Sequence, residues 1–206
     1  PAWKGDIVKV IGITGPTGAG KTTMLREVEC QGGAVIDCDS VYHKMLEGDI
    51  ALQQKLEEAF GPLRNGSGGI DRKKLGEIVF RDPAKLERLN GIAWQAVADR
   101  VCALLEEERD RGTTLAAVDA IGLLESPLGK LCQRTVAVLA PAELRVKRIM
   151  AREGISEVYA WARVRSQKPD EYFSQHCDDT LVNDCFSAEE FAQKAREYLK
   201  EVFYHE

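Results

Sequence analysis

Short apolar runs alternate along this chain with longer stretches in which apolar residues recur every three or four positions. The runs Val8 to Thr14, Ala34 to Asp37, Leu115 to Ala120, Thr135 to Ala140 and Thr180 to Asn183 predict strands. The first, third and fourth are almost wholly apolar, as strands covered on both faces must be. Strand-like runs alternating with helical ones predict an α/β fold with a five-stranded parallel sheet between two helical layers. Between the second and third runs, Ser40 to Thr114 reads as helical apart from one interruption, the turn-rich Gly61-Pro62-Leu63-Arg64-Asn65-Gly66-Ser67-Gly68-Gly69. This stretch is too long for one crossover helix. It predicts a helical subdomain over residues 44–112, above the carboxyl ends of the strands, where parallel sheets bind ligands. Residues 7–43 and 113–206 then form the core.

A second helical excursion follows the fourth run. Pro141 to Arg152 and Ser156 to Ser166, broken at Gly154, predict a lid over roughly residues 145–170. Ser187-Ala188-Glu189-Glu190 is a capping box, and Phe191, Ala195, Tyr198, Leu199 and Val202 give the last helix one apolar face.

One segment turns this pattern into chemistry. Gly15-Pro16-Thr17-Gly18-Ala19-Gly20-Lys21-Thr22 is a complete phosphate-binding loop between the first apolar run, which begins at Ile7, and a helix over Thr22 to Glu29. Its glycines let backbone N–H groups turn toward phosphate oxygens, and the helix N-terminus adds its positive end. Lys21 is suited to the β/γ-phosphates and Thr22 to Mg²⁺, with Thr23 beside it. The loop predicts binding of a nucleoside triphosphate.

Two pairs of features suggest what is done with it. Asp37 and Asp39 close the second run, and residues two apart on a strand point the same way, so both carboxylates are expected to face one cleft. One would orient or accept the acceptor's proton and the other hold a metal-bound water, with Asp39 the favoured base. The competing reading is a helix cap, with Ser40 or Asp39 as N-cap. Asp119, at the end of the third run, has the place of a carboxylate that holds Mg²⁺ directly or through water; it also suits a turn. Arg145, Arg148 and Arg152 are spaced to share a helix face. They form either a solvated row paired with Glu143 or Glu153, or a source of cations for phosphoryl transfer, for which Arg148 and Arg152 are chosen. Arg72 is a candidate for a substrate phosphate and, equally, a charged helix start.

Bulk properties narrow the classes. With 28 Lys+Arg against 33 Asp+Glu, the net charge of −5 argues against a general nucleic-acid binder. The six cysteines show no C-x-x-C pair or zinc-ligand spacing. No signal core opens the chain and no run has the length of a membrane helix. The expectation is a cytoplasmic enzyme, preferably monomeric, without a nucleic-acid or membrane partner.

Taken in order, these residues resemble the dephospho-CoA kinase family. The resemblance rests on Ile11-Gly12-Ile13-Thr14-Gly15 before the loop, on Val35-Ile36-Asp37-Cys38-Asp39, and on Ile70-Asp71-Arg72 with Leu75, Val79-Phe80 and Leu89-Asn90. It continues through Arg148 and Arg152, Arg163 and Gln167, and Asp178 with Asn183. It implies a three-layer P-loop kinase fold with a helical CoA-binding insertion and a helical lid. The implied activity is transfer of a phosphoryl group from ATP, with Mg²⁺, to the ribose 3′-hydroxyl of dephospho-CoA. By the same resemblance Asp39 is the general base, Arg148 and Arg152 are lid cations, and Asn183 lies near the adenine of ATP. Two places depart from the family. Trp94-Gln95 stands where the family has His-Pro, and Ile121-Gly122-Leu123-Leu124-Glu125 where it has Pro-Leu-Leu-Phe-Glu, keeping the acid Glu125. Both fall on the acceptor side, where Trp94 either reshapes the pocket around the pantetheine arm or replaces a polar contact by stacking. The other readings are a P-loop kinase for a different nucleoside, nucleotide or small alcohol, and a nucleotide-binding switch without transfer.

Overall fold

A computed structural model describes residues 8–203. Ile7, the opening Pro1 to Asp6 and residues 204–206 of the expected core lie outside the described residues. The chain runs β1 (Lys9–Thr14), α1 (Lys21–Cys30), β2 (Ala34–Asp37), α2 (Cys38–Gly48), α3 (Ile50–Phe60), α4 (Arg72–Val79), α5 (Pro83–Asp110) and β3 (Leu115–Asp119). It continues through β4 (Arg134–Leu139), α6 (Ala142–Glu153), α7 (Glu157–Arg165), α8 (Asp170–His176), β5 (Asp179–Val182) and α9 (Ala188–Phe203). The strands form one five-stranded sheet in the order β2-β3-β1-β4-β5, with every pairing parallel.

Alternation along the strands divides the interior in two. Val8, just before β1, and Val10 of β1, with Ala116 and Val118 of β3, face a cluster that takes in Leu46, Leu56, Leu75, Val97 and Val101 from α2 to α5. Ile11, Ile13, Leu115, Ala117, Val136 and Val138 face the other way, against Met24 and Val28 of α1 and Phe191, Ala195 and Leu199 of α9. The helical insertion therefore shares its core with one face of the sheet, and the 43/44 boundary falls inside α2, a single helix. Helices α6 and α7 pack on one another through Val146, Ile149, Ala160 and Val164. The capping box at the last helix forms in half: the Glu190 N–H donates to Ser187 Oγ at 3.1 Å, while Glu190 Oε2 accepts from the Phe186 N–H, one residue before the Ser187 cap.

The single interruption expected between Ser40 and Thr114 is three. Asp49, Asp71 and Asp82 each take an extended backbone and accept the N–H groups that open α3, α4 and α5. Short polar side chains that cap helices end the preceding ones as well, and the apolar period alone does not reveal them. Arg72 is the first residue of α4, behind the Asp71 cap. Replacing Asp71 by Ala is expected to lower stability by about 1 kcal/mol, measured as a shift in urea midpoint at unchanged slope; Asp71→Asn should show no such loss.

Candidate active site

The site forms where the connections diverge. β1 lies between β3 and β4, so the loop after β1 opens at the switch point of the sheet, outside the carboxyl ends of the strands. Gly15 has φ 132°, and a Cβ there would lie 2.1 Å from Val138 O. Gly20 has φ 114°, and a Cβ there would meet Asn183 Nδ2 at 2.3 Å. Only glycine lets the loop turn this tightly against its neighbours. Lys21 folds back over the loop and donates to Gly15 O at 2.8 Å.

A cavity of about 620 Å³ extends from this loop. On the loop side Gly15, Pro16, Thr17 and Lys21 line it; beyond them come the carboxylates Asp37, Asp39 and Asp119. Trp94, Ile121, Gly122 and Glu125 line it too, together with Gln167, Lys168 and Phe173. Burial holds the Lys21 ammonium below the usual lysine range, while Asp119 and Asp39 pull it back up and Arg152 and Arg145 press it down. Burial also raises the Asp119 carboxyl; Lys21 opposes that rise and the charges of Asp37 and Asp39 add to it. Cys38, between the two aspartates, is driven up to about 12 by burial and by Asp119, Asp37 and Asp39, so its thiol stays protonated.

Asp37 and Asp39 share the cavity, but not through strand alternation. β2 ends at Asp37, whose carboxylate accepts the Ser40 N–H at 3.1 Å and caps α2, and Asp39 stands in the first helical turn. The cap is Asp37, not Ser40 or Asp39. The reversal of direction at the cap turns both carboxylates to one side.

Arg145, passed over in favour of its neighbours, is the buried arginine of α6, only 4% exposed. It donates to Thr17 O at 3.3 Å, to Gln167 Oε1 at 3.2 Å and to Asp170 Oδ1 at 3.2 Å. Gln167 closes the clamp, accepting the Thr17 N–H at 3.0 Å and donating to Thr17 Oγ1 at 2.7 Å. The signal in the sequence was the neighbouring Val146 and Ile149, which turn Arg145 inward. Arg145→Ala is expected to cost about 1–3 kcal/mol, because Thr17 O and Gln167 lose their donor, and to weaken ATP binding. A change below about 0.5 kcal/mol in urea unfolding, with unaltered ATP titration, would contradict the clamp.

Arg148 and Asn183 both bond to the phosphate loop. Arg148 donates to the loop carbonyls Gly18 O and Ala19 O at 3.2 and 3.3 Å, and to Asn183 Oδ1 at 3.1 Å. Asn183 in turn donates to Ala19 O at 2.7 Å and is 3% exposed, so its amide is engaged with the loop. Arg152 pairs with the neighbouring Glu153 at 2.7 Å, with more than half of its side chain exposed, and lies within electrostatic reach of Lys21. Ala19 is fully buried and Thr22 exposed in the first turn of α1, with the Thr23 N–H bonded to Gly20 O. Arg72 lies outside the cavity lining, close enough to Tyr42 for its charge to be felt there.

Tyr172 donates to the cavity-lining Glu125 at Oε1, 2.8 Å away, and the Lys168 ammonium stands 4.6 Å from the Tyr172 ring. Burial and the Glu125 bond raise the Tyr172 hydroxyl to about 12, so it remains a donor. The two segments that depart from the family pattern touch: a Cβ on Gly122 would lie 3.3 Å from Trp94 Nε1 and 3.4 Å from two further indole atoms.

Residues 9–189 match the dephospho-CoA kinase family. The chain belongs to that family. A dephospho-CoA kinase of Dehalococcoides mccartyi is 35% identical over 86% of this chain and 90% of its own. A Thermus thermophilus crystal structure superposes with a TM-score of 0.73 at 31% identity, over 95% of this chain and 98% of that one. The structure of a dephospho-CoA kinase from Campylobacter jejuni, 24% identical, shares the fold with a TM-score of 0.68 over 95% and 97% of the two chains. The family is one of kinases, which use ATP as co-substrate, and the sheet with its phosphate loop is the P-loop kinase core. Among the described residues no helix is long and apolar enough to cross a membrane, and all six thiols are free.

Proposed function

We propose that this kinase transfers the γ-phosphoryl group of ATP to the ribose 3′-hydroxyl of dephospho-CoA. The observation that carries the reading is one cavity in which the phosphate loop, with Lys21, meets Asp37, Asp39 and a wall that includes Trp94 and Glu125. Phosphoryl transfer asks for positioning and charge neutralisation more than covalent chemistry. Loop N–H groups and Lys21 hold the donor phosphates. Asp39 orients the acceptor hydroxyl and takes its proton as the bond to phosphorus forms. Arg152 brings positive charge from the lid, and Arg148, Asn183 and Arg145 hold the loop in shape.

The donor set suits Mg²⁺. Thr22 and Asp119 are hard oxygen ligands, and a cation that keeps several waters and binds phosphates needs few protein groups. Mg²⁺, when bound there, neutralises the β- and γ-phosphate oxygens.

Incubation of the protein with ATP, Mg²⁺ and dephospho-CoA, followed by mass spectrometry, should yield a product one phosphoryl group heavier, located at the 3′-position by NMR. No product from dephospho-CoA, with ATP consumption stimulated by another alcohol, would refute the acceptor.

A further inference from the structure

Trp94 reaches the cavity from α5, while Gly122 lies in the connection after β3, and the indole edge rests on the glycine. The fit is close: a Cβ built on residue 122 would stand 3.3–3.4 Å from three indole atoms, so the ring would have to give by a few tenths of an ångström. A valine at 122 would therefore have to displace the ring. Next to this contact Ile121 leaves 79% of its surface exposed on the same wall. An aromatic ring beside exposed aliphatic surface, within a cavity otherwise rich in carboxylates, is a place for a flat, uncharged group.

Resting on dephospho-CoA as the acceptor, we propose that Trp94, seated on Gly122 and flanked by Ile121, is the platform for the acceptor's adenine base. Connectivity of the substrate favours the base over the pantetheine arm. The reacting 3′-hydroxyl and the base sit on the same ribose, so a hydroxyl at Asp39 brings the base within a few bonds of the wall that shares the cavity with Asp39. The arm departs from the 5′-carbon behind two phosphates, more bonds away from the reacting hydroxyl than the base is. Glu125, held by Tyr172, is an acceptor suited to the exocyclic amino group of adenine. Trp94 is thus a specificity-determining contact, and Gly122 its positioning partner.

The test is steady-state kinetics on the intact enzyme. Trp94→Ala should raise KM for dephospho-CoA about tenfold, about 1.4 kcal/mol, and leave KM for ATP within about twofold. Trp94→Phe should restore most of the loss. Gly122→Val should reproduce it, yet add little in the Trp94→Ala background, where no ring is left to displace. Trp94 emission, taken as the difference between wild type and Trp94→Phe, should be quenched by dephospho-CoA and not by 4′-phosphopantetheine, which lacks the base. An unchanged KM in Trp94→Ala, or equal quenching by 4′-phosphopantetheine, overturns the platform. Failure of the wild type to phosphorylate dephospho-CoA removes the proposed acceptor itself, and that result is read before any variant is made.

Discussion

Lys21→Ala should lose about 10³-fold in kcat while the fold persists. The ammonium serves two ends at once. It is the loop's compact charge, within electrostatic reach of Asp119 and Asp39, and it ties the loop to itself through Gly15 O at 2.8 Å. Alanine removes both the charge that follows the moving phosphoryl group and the strut across the loop. It also leaves Asp119 without the neighbour that holds its carboxyl down, so that carboxyl rises further. Lys21→Arg should not rescue turnover, because a planar fork cannot reproduce the compact point charge that also donates to Gly15 O. The check is ADP release measured with and without dephospho-CoA, together with a urea midpoint to confirm folding. Turnover within tenfold of wild type would remove Lys21 from the chemistry.

The sheet could be read from the sequence because strands buried on both faces write themselves as continuous apolar runs. Leu115 to Ala120 and Thr135 to Ala140 lie within one residue of β3 and β4. The helical insertion was legible in kind but not in division, since Asp49, Asp71 and Asp82 end helices by capping the next one, a local event invisible to hydrophobic period. In the site, the glycines and Lys21 were legible because backbone geometry dictates their order. The division of labour among the arginines was not. Arg145, Arg148 and Arg152 share a spacing, and only packing decides which is buried against Thr17, which is spent on Gly18 and Ala19, and which stays exposed. The contact between Trp94 and Gly122 joins residues distant in the chain, so each appeared alone as an isolated departure. Together they are one feature, a ring and the gap that admits it.

The sharpest test of the chemistry is Asp39→Asn, expected to lower kcat about 10²–10³-fold while ATP affinity changes less than about threefold. Asparagine keeps the size and polarity of the side chain and removes its ability to take a proton, so the loss falls on the transition state. The helix beneath it should be unaffected, because the cap of α2 is Asp37, not Asp39. That division supplies the control. Asp37→Asn keeps a good cap, since Asn and Asp are nearly equal at that position, and it removes a carboxylate from the same cavity wall. If Asp39 is the base, Asp37→Asn should retain far more turnover than Asp39→Asn at equal stability. If instead Asp39→Asn keeps near-wild-type kcat and Asp37→Asn loses it, the proton goes to the capping residue. The acceptor ribose then lies closer to the end of β2 than the first turn of α2. Single-turnover measurements at saturating ATP separate the two outcomes, because they report the transfer step without product release.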